Sequence, residues 1–196
     1  MNLVVAGFCF IFGCILWTFV EYFLHRFAGH EILFRPKLYL FILRHFRKEH
    51  QKHHFIRGFF GETSQKLIAT IIILFVMAIA MTFIFDLYRG VFISAGFASM
   101  YLTYELFHRF IHVRKPRSKV GKILRKHHLY HHFMDSSKNH GVTTKIWDKV
   151  FGTFVETSEI LVEINQRFVF PWMLENGVLA TELESDYILL SETKFH

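Results

Sequence analysis

The sequence predicts an all-α integral membrane protein with about three transmembrane helices and a cytosolic, histidine-rich helical cap. Of its 196 residues, 52% are hydrophobic, and the mean hydropathy of +0.28 is too high for a typical soluble domain. Three apolar runs are each long enough to cross a bilayer. Fourteen residues are histidine, nearly as many as the 16 carboxylates, and most of them occur in short clusters.

The first apolar run, residues 3–24, contains one charged residue, Glu21, near its end. A bilayer core needs about 20 such residues. A cleaved signal peptide has basic residues before its apolar core, but the first basic residue here is Arg26. We therefore predict a retained anchor. Cys9 and Cys14 are five apart and face different sides of a helix, so we interpret them as small apolar residues rather than a disulfide or thiolate site.

The second and third runs predict an antiparallel transmembrane hairpin. Residues 67–85 contain no charge, and residues 91–107 contain one, Glu105, near the end. Only residues 86–90 join them. The remaining segments are assigned to a cap, residues 25–66 and 108–155, and an acidic tail, residues 156–196, within one membrane-embedded domain that covers residues 1–196.

The distribution of basic residues predicts the orientation. Of 23 Lys and Arg, none precedes the first span, nine lie in residues 26–66, one is Arg89 in the hairpin tip, and thirteen follow from Arg109 onward. By the positive-inside rule, the N-terminus and the hairpin tip face outward and the cap faces the cytosol. All fourteen histidines then lie on the cytosolic side. Basic residues used for orientation and for contact with anionic lipid give no reason to expect nucleic-acid binding.

Two short apolar stretches and the tail are predicted to lie at the surface. Residues 38–43, with basic neighbours, are interpreted as an interfacial or re-entrant helix. Residues 168–174, interrupted by Pro171, are interpreted as a second surface piece. From Glu156 onward the sequence contains eight carboxylates but only two basic residues. We expect a solvated acidic tail, with a docking surface for a basic partner as the alternative.

The spacing of the histidines predicts that several of them share a face. Residues at i, i+3 and i+4 lie on one side of a helix. One pair is five residues apart and converges only if the helix ends or bends, which Gly29 permits. The clusters are His25 with His30, His50 with His53 and His54, His108 with His112, and His128 with His131 and His132.

Ten clustered imidazoles predict a metal site. Neutral imidazole suits iron, zinc, copper or nickel. Ten donors are too many for one six-coordinate ion but fit two ions that share a pocket; the alternative is a tract that binds metal loosely. Outside the clusters are four histidines that we expect to contact the ligands or to lie on the surface: His45, His127, His140 and His196.

The sequence lacks the repeated carboxylate motif of a carboxylate-bridged di-iron bundle. That architecture uses two Glu-x-x-His motifs, and the sequence has one, Glu105 with His108. We instead expect Glu105, and Glu21 four residues before His25, to accept hydrogen bonds from ligating histidines and to fix their tautomers.

The order His-x4-His, His-x2-His-His, His-x3-His, His-x2-His-His resembles the fatty acid hydroxylase and sterol desaturase superfamily of integral membrane oxygenases. The segments YELFHRFIHVRKPRS and LRKHHLYHHF strengthen the resemblance. So does NHGVTTKIWDKVFGTF, through Gly141, Trp147, Asp148 and Gly152. The resemblance runs from about Glu21 to Phe154.

The resemblance implies a non-haem centre of two iron ions that uses dioxygen to attack a C–H bond of a lipid. Zinc is a possible occupant in purified protein. Asp148 is then not a ligand but ties the cap together. The implied ligands are His25, His30, His50, His53, His54, His108, His112, His128, His131 and His132.

The chain departs from the family pattern in two ways. Members often have four spans, whereas three are predicted here. Some members carry a fused haem domain, and no haem-binding segment is visible, so we expect an external donor, cytochrome b5 or ferredoxin with a reductase. The membrane is expected to be a bacterial inner membrane or the endoplasmic reticulum.

An acyl lipid is the substrate that we favour. Its chain would contact aromatic residues, for which core packing or lipid contact is the plainer interpretation: Phe23, Phe27, Phe107 and Phe110. The alternatives are a sterol or carotenoid desaturase or hydroxylase on the same site, and a non-enzymatic membrane protein that binds or transports metal.

Overall fold

The structure, a computed structural model, describes residues 2–31, 37–56, 58–61, 63–115, 117–163 and 170–190. These residues are mostly helical and form two compact units. The hairpin unit comprises Met1–Glu21 and Gly61–Phe107, and the histidine unit comprises Tyr22–Phe60 and His108–His196. The helices are α1 Leu3–Phe23, α2 Lys37–Phe55, α3 Thr63–Ile84, α4 Leu87–Val113, α5 Lys119–Phe133 and α6 Ile146–Val150.

Two of the described helices are long and apolar enough to cross a membrane, by length and composition: Leu3–His30 and Lys66–Ile84. Large apolar side chains on them are exposed, as in Phe75 of α3, and such patches mark sites of contact with a membrane or with another protein. The third predicted span lies within α4, which is less apolar than α1 and α3 and contains charged residues at Arg89, Glu105 and Arg109. Three spans therefore remain a prediction.

In the hairpin unit, α1 and α4 pack closely because glycines face the neighbouring backbone. A Cβ on Gly13 would lie 2.0 Å from the carbonyl oxygen of Ile93, and one on Gly96 would lie 1.9 Å from that of Phe10. Small residues permit such approach between membrane helices. Cys14 donates its thiol to the Gly96 carbonyl at 3.3 Å. Both cysteines are free, which agrees with the expectation of no disulfide.

The predicted hairpin is present as α3 and α4, which are separated by two residues. Asp86 precedes α4 and caps its first turn, because its Oδ1 accepts a hydrogen bond from the Arg89 amide at 2.9 Å. Within the hairpin, the Thr70 hydroxyl donates to the Tyr101 hydroxyl oxygen at 2.8 Å. Near the other end, Lys66 Nζ lies 2.7 Å from Glu105 Oε2.

In the histidine unit, the chain continues from α1 into a π-helical turn, Leu24–His30. Its wider winding is evident where the Glu31 amide donates to the Arg26 carbonyl, five residues back, at 2.7 Å. The helix α5 begins at an N-cap, where Ser118 Oγ accepts from the Gly121 amide at 3.0 Å. The predicted interfacial helix 38–43 falls within α2, and the side chains of residues 37–42 lie outside the described part.

The C-terminal segment corrects two predictions. The strand β1, Ile160–Glu163, pairs in parallel with β4, Tyr187–Leu190, and β2, Leu174–Glu175, pairs with β3, Val178–Leu179. The chain is therefore not all-α, and its tail is not merely a solvated acidic segment. The carboxylates alternate with apolar side chains that are buried, which a count of charges overlooks. The buried residues include Ile160, Val162, Phe170, Met173 and Leu183.

Residues 168–174 are also not a simple surface piece. Residues 164–169 lie outside the described part, but Phe170 and Met173 are buried. Trp172 donates its indole N–H to the carbonyl of His112 at 3.1 Å. The face of Trp172 also covers the guanidinium of Arg125, 4.0 Å from the ring centre. The segment is thus attached to the histidine-bearing helices α4 and α5.

The close approach of α1 and α4 predicts the effect of Gly96→Ala. The added methyl meets backbone, so the helices must separate, and overpacking of this kind costs about 1–3 kcal/mol. We expect a lower melting temperature in detergent. Gly7→Ala, where a Cβ meets nothing within 4 Å, is the control and should melt no lower than the unaltered chain. Equal melting temperatures for both variants would contradict the packing.

Candidate metal centre

The histidine unit gathers ten histidines into two groups of five. Each histidine offers one ring nitrogen, and the five nitrogens of a group lie within 4.8 Å of one another. These are the ten residues named from the sequence. Group A is His25, His30, His50, His54 and His131, and group B is His53, His108, His112, His128 and His132.

Group A is assembled by three elements. The π-helical turn supplies His25 and His30, α2 supplies His50 and His54, and α5 supplies His131. The Nε2 atom of His30 lies 2.8 Å from that of His50 and 2.9 Å from that of His131. The Nε2 atoms of His50 and His54 are 3.0 Å apart. The unfavourable i, i+5 spacing is thus resolved by the π-helical winding.

Gly29 was expected to let the helix end or bend between His25 and His30, but its role in the structure is different. It lies inside the π-helical turn, which continues to His30, and is buried, so the helix does not end between the two histidines. A Cβ at this position would lie 2.8 Å from Cδ2 of His50. Glycine is needed because the His50 ring packs directly on the backbone of the turn.

Group B is assembled by α2, α4 and α5. His108 and His112 are one turn apart on α4, as the i, i+4 spacing predicted. The Nε2 atom of His128 lies 3.1 Å from that of His108 and 2.9 Å from that of His112. His53 comes from α2, with its Nε2 3.0 Å from that of His108. The His132 ring lies 4.9 Å from the His53 ring, centre to centre.

Backbone carbonyls fix the tautomers of three of these rings. Nδ1 of His131 donates to the Lys138 carbonyl at 2.7 Å, and Nδ1 of His53 donates to that of Phe59 at 2.6 Å. Nδ1 of His25 donates to the carbonyl of His140. Each Nε2 therefore carries a lone pair directed into its group. An N–H donated outward to a carbonyl is the usual arrangement of a metal-binding histidine.

Burial keeps the rings neutral. Burial, together with neighbouring imidazoles, lowers the pKa of His54 to about 2. The same causes hold the pKa of His128 and of His131 well below the ordinary range. Nε2 of His25 and of His132 is buried with no hydrogen-bond partner. Convergent neutral imidazoles with unused lone pairs fit iron, zinc, copper or nickel.

Asp148 is fully buried and lies at the centre of a hydrogen-bond network. It accepts from the amides of His140 and Gly141, each at 2.8 Å, from Nε2 of His127 at 2.9 Å and from the Thr153 hydroxyl at 2.7 Å. Burial raises the pKa of Asp148, but the hydrogen bonds from His127 and Thr153 lower it below the ordinary value overall. Asp148 thereby joins His127 of α5 to His140, Gly141 and Thr153, and its expected role in tying the cap together stays a prediction.

The other two carboxylates predicted near the metal are Glu21 and Glu105, and their environments differ from that of Asp148. Glu21 is buried, and its role toward a histidine stays a prediction. Glu105 accepts from Lys66 at 2.7 and 3.0 Å and from Tyr101 at 3.4 Å. Its described partners thus form an ion-paired cluster inside the hairpin unit rather than a bond to a ligating histidine. The spacing to His108 gave no indication of Lys66, 39 residues away.

The four histidines outside the two groups lie in different environments. His127 and His140 are buried and bind Asp148, one through its ring and the other through its backbone amide. His45 is exposed on α2, and His196 lies outside the described residues. The sequence did not reveal the carbonyls that orient the rings, because a backbone oxygen has no residue-type signature.

The aromatic side chains proposed to line a lipid path make ordinary packing contacts. Phe23 and Phe27 have ring centres 5.2 Å apart, and Phe23 lies edge-on to Phe151 at 5.5 Å. Phe110 is exposed and covered by the Arg114 guanidinium at 5.0 Å, and Phe107 is half-buried. A lining role for these residues stays a prediction.

Comparison with known proteins gave a family match, similar sequences and a similar structure. Residues 10–153 match the family model described as fatty acid hydroxylase. The chain is 33% identical over 151 residues to the dihydroceramide fatty acyl 2-hydroxylase FAH2 of Arabidopsis thaliana, covering 75% of this chain and 60% of that one. It is 32% identical over 148 residues to the ceramide very long chain fatty acid hydroxylase scs7 of Schizosaccharomyces pombe, covering 74% and 41%.

A solved structure is also similar. It is full-length scs7p, in which only the hydroxylase domain is visible, with a TM-score of 0.61 and 29% sequence identity, covering 80% of this chain and 58% of that one. The chain therefore spans about 60% of the plant relative's length and about 40% of the fission-yeast relative's.

The geometry of group A predicts that His54→Ala weakens metal binding. The substitution removes one of five nitrogen donors, and we expect metal affinity to fall at least about tenfold. The readout is metal content of purified protein after dialysis against a weak chelator. His45→Ala, an exposed histidine on the same helix, is the control and should retain its full metal content. Equal metal content in both variants would contradict the assignment of His54.

Proposed function

Because the chain belongs to the fatty acid hydroxylase family, we propose that it is a membrane-bound di-iron oxygenase that hydroxylates the acyl chain of a lipid. The observation that carries the proposal is the pair of five-histidine groups. The relatives are named as ceramide and dihydroceramide fatty acyl hydroxylases. We therefore propose an amide-linked acyl chain as the substrate class, with attack at the carbon next to the carbonyl.

In this proposal each group holds one iron ion. The iron pair, when bound, supplies the activation of dioxygen and the oxidation of an unactivated C–H bond. Iron is proposed over zinc because zinc does not change its oxidation state. The donor set contains only imidazole nitrogen among the residues grouped here.

The chain itself orients the histidine rings, keeps them unprotonated and excludes water from them. The rings of His128 and His131 are fully buried, so water is excluded from the inner side of both groups. The low pKa values of these rings keep them unprotonated, so no proton competes with the metal. The carbonyls of Lys138 and Phe59 orient one ring of each group, so that the Nε2 atoms converge before a metal arrives.

The apolar helices support a membrane location. Side chains along α3 such as Ile72, Phe75 and Phe83 are exposed, and a lipid substrate dissolved in the bilayer would reach the protein there. The Lys and Arg distribution supports a cytosolic position for the histidines. We also propose an external electron donor, cytochrome b5 or ferredoxin with a reductase, and a bacterial inner membrane or endoplasmic reticulum as the location.

Metal transport is the weaker candidate. An ion path needs polar groups along a span. The two threonines in the apolar run 67–85 both donate hydrogen bonds within the protein: Thr70 to Tyr101 at 2.8 Å and Thr82 to the carbonyl of Ala78 at 2.8 Å. The described face of α3 is therefore suited to lipid rather than to a hydrated ion.

The proposed activity predicts a change in cellular lipids. Cells that express the unaltered chain with a reductase should gain a lipid class that carries one added oxygen. Cells that express His128→Ala with His131→Ala, which removes one donor from each group, should not. Lipid mass spectrometry is the measurement, with His45→Ala as the control that should match the unaltered chain. Loss of two hydrogens instead of gain of oxygen would indicate a desaturase and contradict the hydroxylase.

The proposed use of dioxygen predicts the origin of the added oxygen atom. Under ¹⁸O₂, the hydroxylated lipid should be two mass units heavier than the product formed in air, because the oxygen atom comes from dioxygen. Incorporation from labelled water instead would contradict an oxygenase. The product should also be absent under nitrogen.

A further inference from the structure

We propose that Asp148 is the positioning residue of group A: it fixes the loop of residues 138–141, whose carbonyls orient two histidines of that group, and it thereby sets the metal affinity of group A without setting that of group B. This inference rests on the proposed metal centre. It predicts that the two metal sites depend on different parts of the chain and can be emptied separately.

Both carbonyls of the loop serve the same group. The Lys138 carbonyl accepts from Nδ1 of His131 at 2.7 Å, and the His140 carbonyl accepts from Nδ1 of His25. His25 and His131 come from different elements, the π-helical turn and α5, so the loop sets their mutual orientation. The carbonyl described for group B, that of Phe59, follows α2 and belongs to a separate turn.

Asp148 binds the backbone amides of this loop. Its two oxygens accept the amides of His140 and Gly141, each at 2.8 Å. The carbonyl that binds His25 therefore belongs to a residue whose own amide is anchored on the carboxylate. Gly141 permits the close approach, because a Cβ there would lie 2.0 Å from the Thr144 carbonyl oxygen and 2.9 Å from Asp148 Oδ2.

Asn139 fastens the loop a second time. It is buried between the two carbonyl-bearing residues, with a positive φ of 53°. Its side chain donates to the Val155 carbonyl at 3.0 Å and accepts from the Val155 amide at 2.8 Å. A non-glycine residue keeps such a backbone conformation only where its surroundings enforce it. The loop is thus held in one conformation by two separate residues.

The same carboxylate is linked to the π-helical turn. The Thr153 hydroxyl donates to Asp148 Oδ1 at 2.7 Å, so Thr153 accepts from the Tyr22 hydroxyl at 3.0 Å. Tyr22 in turn accepts from Nη1 of Arg26 at 2.9 Å. Because Arg26 follows His25 in the chain, the network reaches the His25 ring from its carbonyl partner and from its own backbone.

Loss of this network should therefore act on group A. Partners that orient a ligating histidine typically change metal affinity by about 10–100-fold when they are replaced. In Asp148→Asn, an amide N–H₂ replaces one acceptor oxygen. The side chain at position 148 can then no longer accept all four hydrogen bonds. Asn139→Gly removes the side-chain hydrogen bonds but permits the positive φ, and so leaves the backbone conformation accessible.

The experiment measures metal ions per chain in purified full-length protein, titrated with Fe²⁺ under nitrogen. The unaltered chain should bind two ions. Asp148→Asn and Asn139→Gly should each bind one ion with unchanged affinity and the second about 10–100-fold more weakly. Asp135→Asn is the matched control: among the described residues, the Asp135 carboxylate accepts from the amide and the hydroxyl of Ser137, at 2.8 and 2.6 Å, and this variant should bind two ions normally.

Combined variants identify the weakened site. Asp148→Asn with His132→Ala should weaken both ions, whereas Asp148→Asn with His54→Ala should leave one ion tightly bound. Helical circular dichroism must match that of the unaltered chain. Two tight ions in both Asp148→Asn and Asn139→Gly, or equal weakening of both sites in a folded Asn139→Gly protein, would overturn the inference. An unaltered chain that binds fewer than two ions would instead overturn the proposed metal centre.

Discussion

The histidine unit depends on ten imidazoles whose ring nitrogens converge in two groups, six of them buried and four partly exposed. Nε2 atoms approach to about 3 Å within each group, as between His30 and His50 at 2.8 Å. A buried polar atom without a partner costs about 1–3 kcal/mol, and burial opposes protonation because it lowers the pKa of His128 and of His131. A cation in each group would coordinate the lone pairs of that group at once. Folding of this unit and metal binding are therefore thermodynamically coupled.

The irregular parts of the chain supply what regular helices cannot. Helices α2, α4 and α5 present histidines at i, i+3 and i+4 without further adjustment. His25 and His30 need the π-helical turn, and the His50 ring needs the space that Gly29 leaves. The loop of residues 138–141 adds the carbonyls that choose the tautomer. π-helical turns often occur at functional sites for this reason.

The ten clustered histidines and the α3–α4 hairpin were predictable because helical periodicity and apolar length leave a direct signature in the sequence. The partners of Asp148 were not, since three of its four hydrogen bonds come from His127, Thr153 and the amide of His140, and only the fold brings these together. Glu105 was assigned to a histidine because local spacing suggested it, and Lys66 was too distant to consider. The tail was misjudged because its charge obscured its buried apolar positions.

The family match and the histidine groups fall in the same part of the chain. The matched region, residues 10–153, contains both histidine groups and Asp148. The C-terminal strands lie beyond it, and there Trp172 is hydrogen-bonded to the backbone of His112. The most direct measurement is anomalous X-ray scattering at the metal edge from crystals of the unaltered protein. Two separate peaks, one inside group A and one inside group B, are expected; a single peak, or peaks among carboxylates outside these groups, would contradict the account.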